Sequence, residues 1–115
     1  MRIQSDIKVK KNECNIFTDS INRLKRSISA YEGLKLRTLH CDSSLIHHKY
    51  MINKACFFTY KTVIKTQQIR MLCYIDELQD TIVVIKFFQK KKSNSMYHVE
   101  FEKLAQNYYN TNLCC

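Results

Sequence analysis

The apolar residues of this chain change period as the sequence advances, and those changes divide it into elements. From Cys56 to Thr66 (CFFTYKTVIKT) aromatic and β-branched residues predominate, the composition of a strand. Ile69 to Ile75 alternates, placing Ile69, Met71, Cys73 and Ile75 on one face and Arg70, Leu72 and Tyr74 on the other. Thr81 to Phe88 is almost continuously apolar, as expected of a strand buried on both faces. Polar turn formers fill Asp76-Glu77-Leu78-Gln79-Asp80, and a short connection separates Thr66 from Ile69. The pattern predicts an antiparallel meander of three strands.

Helical spacing appears on either side of this meander. Phe17, Ile21, Leu24, Ile28 and Tyr31 form one stripe behind an N-cap at Thr18 or Asp19, with Asn22, Arg23, Lys25 and Arg26 pointing away. Gly33 marks a turn, and Glu32 to Leu39 reads as a second, weaker helix. Tyr97, Phe101, Leu104, Ala105 and Tyr108 make a last stripe after the cap-forming Ser93-Asn94-Ser95. Ile3 to Lys10 predicts a short, imperfect first strand. Leu45 to Lys54 fits either a helical turn or an irregular lead-in to the meander. The expected fold class is α+β: an antiparallel β-sheet with an N-terminal helical pair and a C-terminal helix, in the order β-α-α-β-β-β-α. At 115 residues the chain is expected to form a single domain, residues 1–115.

Charge changes the picture. The formal net charge is +9, which points to nucleic acid, then to an anionic surface, then to an acidic protein. No Asp or Glu occurs from Ser43 to Ile75, nor from Thr81 to Val99. Within those stretches Lys61 and Lys65 flank Val63 on the expected strand, Arg70 follows on the next, and Lys90, Lys91 and Lys92 leave the third. Cations gathered on a sheet without acidic neighbours call for an external anion, and a phosphate chain is the commonest. The structural alternative for Arg70 is an ion pair with Asp76 or Glu100; for the lysines it is solvated strand edges.

Other chemistry is constrained by what is scarce. With no proline and a single glycine, Gly33, the chain has no glycine-rich phosphate loop, dinucleotide fingerprint or nucleophile elbow. No apolar run reaches membrane-spanning length and the first residues lack the apolar core of a signal peptide, so a soluble, cytoplasmic protein without membrane partner is expected. In that compartment the six cysteines are thiols rather than a disulfide framework. Cys73 reads as a core residue, and the terminal Cys114-Cys115 as exposed. The spacing of His40, Cys41, His47, His48 and Cys56 matches no standard zinc site, so neither metal nor small-molecule cofactor is expected.

Three pieces carry a resemblance: YKTVIKTQQIR (Tyr60 to Arg70), MLCYID continuing into TIVVIKFF, and QKKKSNSMYHVEFEKLA (Gln89 to Ala105). Together they resemble the RelE/HigB toxins of bacterial type II toxin–antitoxin systems, over roughly the second half of the chain. The resemblance implies ribosome-dependent cleavage of mRNA by attack of a ribose 2′-hydroxyl on the adjacent phosphate, with a cognate antitoxin holding the toxin inactive. It also implies site roles. Lys61 and Lys65 would be strand cations, one of them a base. Arg70 would clamp the scissile phosphate, and Lys91 would stabilise the transition-state charge. Tyr97 would stack on a base, and His98 would act as acid or base. Lys54, Lys86, Lys90 and Lys92 would contact RNA. The chain departs from the family at Val63, where RelE carries a further lysine, and in having lysine where the basic turn is expected to hold arginine. Two other expectations stay open: a gyrase-poisoning toxin of the ParE type, and a non-enzymatic nucleic-acid-binding protein.

Overall fold

A computed structural model describes residues 2–5, 7–29, 47–91 and 97–113. Its elements in order are β1 (Arg2–Ser5), a 3-10 turn (Lys11–Glu13), α1 (Cys14–Ser29), β2 (Lys49–Ile52), β3 (Ala55–Ile64), β4 (Gln67–Asp76), β5 (Thr81–Gln89) and α2 (Tyr97–Tyr108), which runs into a π-turn at Tyr109–Leu113. The predicted helix Glu32 to Leu39, Gly33, His40, Cys41, Lys92, the Ser93-Asn94-Ser95 cap and Cys114-Cys115 lie outside the described residues.

The class is α+β, as expected, and β3, β4 and β5 form the predicted antiparallel meander. The sheet is larger than expected and it is mixed. Its five strands run in the order β1-β5-β4-β3-β2, and β1 pairs with β5 in parallel, Arg2 opposite Thr81. An all-antiparallel sheet is therefore corrected. The cause is chain length between the two strands: β1 and β5 are separated by α1 and the whole meander, so no hairpin fixes their relative direction. β1 ends at Ser5, short of the predicted Lys10. The ambiguous stretch before the meander contributes β2, which pairs antiparallel with β3 through Lys49–Phe58 to Ile52–Ala55.

Both faces of the sheet are covered. On one, Leu24 and Ile28 of α1 pack against Ile69, Met71, Cys73 and Ile75 of β4, with Phe17 edge-on to Phe87 at 5.1 Å. On the other, Tyr97, Phe101 and Ala105 of α2 pack against Phe57 and Leu72. The alternation in β4 thus separates two cores as predicted, and the near-continuous apolar run of β5 follows from burial on both sides. Full burial of Phe57 and Phe58 stabilises the fold by about 2–3 kcal/mol each. α1 starts at Cys14, earlier than the expected cap at Thr18 or Asp19, because the 3-10 turn leads into the helix and brings Ile16 and Phe17 onto the core. Among the described residues no helix is long and apolar enough to cross a membrane.

Candidate nucleic-acid interface

The α2 face of the sheet is apolar through Phe57 and Leu72 and becomes cationic toward the β3–β4 turn. Along β4 the residues on this face are Leu72, Arg70 and Gln68. Along β3 they are Thr59, Lys61 and Val63, and register sets Lys61 directly opposite Arg70 and Val63 opposite Gln68. Arg70 is only 8% exposed. Its Nη1 donates to the carbonyl of Ile69 at 2.9 Å and its Nη2 to Oε1 of Gln68 at 3.0 Å, while Nε has no partner. Neither Asp76 nor Glu100 pairs with it, and Asp76 instead accepts from the Gln79 peptide at the far end of β4. A buried guanidinium with no carboxylate partner among the described residues keeps an uncompensated charge, which favours an anion nearby.

Tyr97 is the platform on which the cations converge. The Arg70 guanidinium carbon lies 5.7 Å from its ring centroid and the Lys90 Nζ lies 5.9 Å away. Lys90 is held there because its peptide nitrogen donates to the Gln68 carbonyl at 2.7 Å, extending the β4–β5 pairing past Gln89. The Tyr97 ring is 6% exposed and packs against Phe88 and Phe101. It orients cations from within the core, and a base has no open ring face to stack on.

Imidazoles complete the cluster. His47 and His48 prolong the pairing of β2 with β3: the His47 peptide donates to Thr59 and the Thr59 peptide to His48, each at 3.1 Å. That fixes His48 against the first turn of α2, where its ring stacks on His98 with centroids 5.3 Å apart and planes 23° apart. Tyr97 meets the His48 ring edge-on at 5.9 Å. Burial lowers the pKa of His48, and the neighbouring Lys61, His98, His47 and Arg70 lower it further. His47 is lowered by burial, then by Lys61 and Arg70. Both imidazoles therefore resist protonation more than a free histidine does.

Lys61, Arg70, Lys90, Tyr97 and His98 are thus brought together. Lys65 is not. It was expected on the β3 face beside Lys61 and near Arg70, but β3 ends at Ile64 and Lys65-Thr66 is a two-residue turn with φ of 48° and 69°. A turn of that shape matches strand twist, so the connection is shorter than predicted and Arg70 meets Lys61. Lys91 is exposed and lines a shallow depression beyond Lys90 with Thr66, Gln67 and Gln68. Lys54 sits in the turn before β3, at the opposite end of that strand from Lys61. Lys86 is exposed on β5 opposite Leu72. Sequence reasoning missed Gln68 and considered His48 only as a zinc ligand. The signal available was the polar His47-His48 pair leading directly into a strand.

Among the described residues no group of three or more histidine, cysteine or acidic side chains is placed to hold a metal ion. Burial pushes the Cys56 thiol up to about 11 and that of Cys73 higher still, so both are core thiols rather than ligands or nucleophiles. What the cluster can do is bind a phosphate between Arg70 and Lys61 and move a proton through imidazole. In comparisons with known proteins, no family, no curated protein and no solved structure matches this chain.

Proposed function

We propose that this protein is a RelE/HigB-like toxin that cleaves mRNA on the ribosome and is held inactive by a cognate antitoxin. One observation carries the proposal: Arg70, buried and without a carboxylate partner among the described residues, faces Lys61 across the β3–β4 pair beside Lys90 and two imidazoles. The Arg70 guanidinium supplies the positive charge that holds the scissile phosphate. Lys61 and Lys90 stabilise the charge that grows on the phosphorane. Neutral His48 takes the proton of the 2′-hydroxyl as that oxygen bonds to phosphorus, and His98 delivers a proton to the departing 5′-oxygen. The products are a 2′,3′-cyclic phosphate and a 5′-hydroxyl. Lys91, at the mouth of the cluster, guides the strand.

A second reading has support in Val63. It is half exposed on the same face as Lys61, where the family would place a further lysine, and it offers no proton. If the imidazoles do not replace that base, the same surface binds RNA without cutting it. The deciding experiment is primer extension on an mRNA translated in a bacterial extract, with the wild-type protein and Arg70→Ala. Cuts within codons that need ribosomes and vanish in the variant support the toxin. Binding without cuts leaves the non-enzymatic reading, and cuts without ribosomes indicate another kind of nuclease.

A further inference from the structure

The face of β3 turned away from Arg70 carries a second basic depression. Arg23 and Arg26 of α1 line it together with Ser27, Tyr60 and Thr62. Tyr60 and Thr62 are two residues apart on β3, so both face α1 while Lys61 between them faces the other way. Tyr60 is buried, and its hydroxyl lies 3.2 Å from Oγ of Ser27, fastening helix to strand at this point. Arg23 and Arg26 are exposed and stand three residues apart, neighbours on one helix face. Neither has a carboxylate partner among the described residues, and the last acidic residue of α1 is Asp19. Arg26 in the final turn complements the helix dipole, which accounts for one arginine. It does not account for a second one beside it over a floor of hydroxyls.

We infer that this depression is a second phosphate-binding site, filled by the backbone of single-stranded RNA. Guanidinium groups take phosphate oxygens through paired N–H bonds, and a threonine hydroxyl such as that of Thr62 is a regular phosphate donor. The Ser27 hydroxyl donates to the Arg23 carbonyl at 3.0 Å, so Tyr60 donates to Ser27 and these two hydroxyls brace the floor rather than bind the anion. An anionic membrane would need an apolar anchor among the cations, and a protein partner an apolar centre; among the described residues no aliphatic side chain lines the depression. Lys65, exposed at the tip of the β3–β4 turn, stands at the sheet end between the two faces. Positive charge therefore wraps the hairpin, with Arg23 and Arg26 on one side and Lys61 and Arg70 on the other. The inference goes beyond the proposed function, because it concerns binding on the face opposite the cutting site and holds whether or not the protein cuts.

The test is the salt dependence of binding to a fluorescein-labelled oligouridylate, for the wild type, Arg23→Gln/Arg26→Gln, and a control Lys8→Gln/Lys10→Gln that removes the same charge from exposed positions elsewhere. Loss of two phosphate contacts should weaken binding on the order of tenfold at low salt and make the log–log salt slope shallower by about 1.4. Tyr60→Phe should show a smaller loss with the slope unchanged. The arginine variants keep their fold because both side chains are exposed, and circular dichroism verifies it. If the arginine pair and the lysine control show the same affinity and slope, charge alone is responsible and the site does not exist. Ribosome-dependent cutting abolished in Arg70→Ala, but restored to the wild-type rate at saturating RNA in Arg23→Gln/Arg26→Gln, separates this site from the proposed active site.

Discussion

Lys61 and Arg70 stand directly opposite one another on β3 and β4, two positive charges in a single cross-strand pair with no carboxylate between them among the described residues. Like charges in that position destabilise a sheet by roughly 0.2–1 kcal/mol. The strain is relieved when an anion bridges them. Lys61→Ala should therefore raise the stability of the free protein by about 0.5 kcal/mol while reducing the extra stability gained on adding RNA. Urea unfolding with and without an RNA oligonucleotide measures both. A variant that is less stable when free and gains as much from RNA would refute the bridging role.

Arg70→Met removes a buried guanidinium whose Nε is unsatisfied and replaces it with an apolar side chain of similar length. The expected gain in stability is about 1 kcal/mol, with the proposed cleavage abolished. Arg70→Lys should keep the charge and lose the fork, and cleavage should fall by about a hundredfold. Thermal unfolding alongside primer extension resolves the two effects. Destabilisation in Arg70→Met would show that the arginine serves the fold.

The division of β4 into two faces was legible because alternation follows directly from strand geometry, and Arg70 stood out as a cation inside an apolar strand. The direction of β1 was not legible, since apolar periodicity carries no information about parallel or antiparallel pairing. Nor was the turn. Lys65 and Thr66 lack the asparagine and glycine that usually announce a tight hairpin, so they read as a continuation of β3. The site cluster was half visible: Lys61, Arg70, Lys90 and His98 carry charge or chemistry in sequence, whereas His48 joins them only through β2, a strand of four residues.

Thr66 holds a φ of 69° in the turn, where a β-branched side chain crowds its own backbone. Thr66→Gly should stabilise the protein by about 1 kcal/mol, as the left-handed conformation becomes strain-free. Because the turn lies beyond the Lys61–Arg70 pair, cleavage should change less than twofold. Denaturant midpoints at unchanged slope would establish the gain, and a loss of stability would show that the hydroxyl or methyl of Thr66 is needed at the tip.

Tyr97 is buried and its hydroxyl has no partner among the described residues. Removing that oxygen while keeping the ring leaves the platform under Arg70 and Lys90 in place. Tyr97→Phe should be neutral or stabilising by up to about 1 kcal/mol and should retain cleavage. Tyr97→Ala should cost about 3–5 kcal/mol and abolish cleavage, since α2 loses its first core contact and His98 moves with it. Cleavage lost in Tyr97→Phe would assign the hydroxyl a chemical role.

The histidines give the site a pH signature whose sign follows from their lowered pKa values. In the folded protein His47 and His48 resist protonation because of burial and the charges of Lys61 and Arg70, with His98 also acting on His48. In the unfolded chain they titrate near the ordinary imidazole value of 6.5. Between the two values the unfolded state binds more protons, so stability is intact above pH 6.5 and falls as pH drops below it. A bound phosphate reverses the local field and favours the imidazolium, so added RNA should flatten the fall. His48→Gln should flatten it without RNA and slow cleavage most at neutral pH, where the neutral base is lost. Unfolding free energies from pH 7.5 to 5, with and without RNA, read the slope directly. A slope that His48→Gln leaves unchanged would move the titration to other groups and remove His48 from the site.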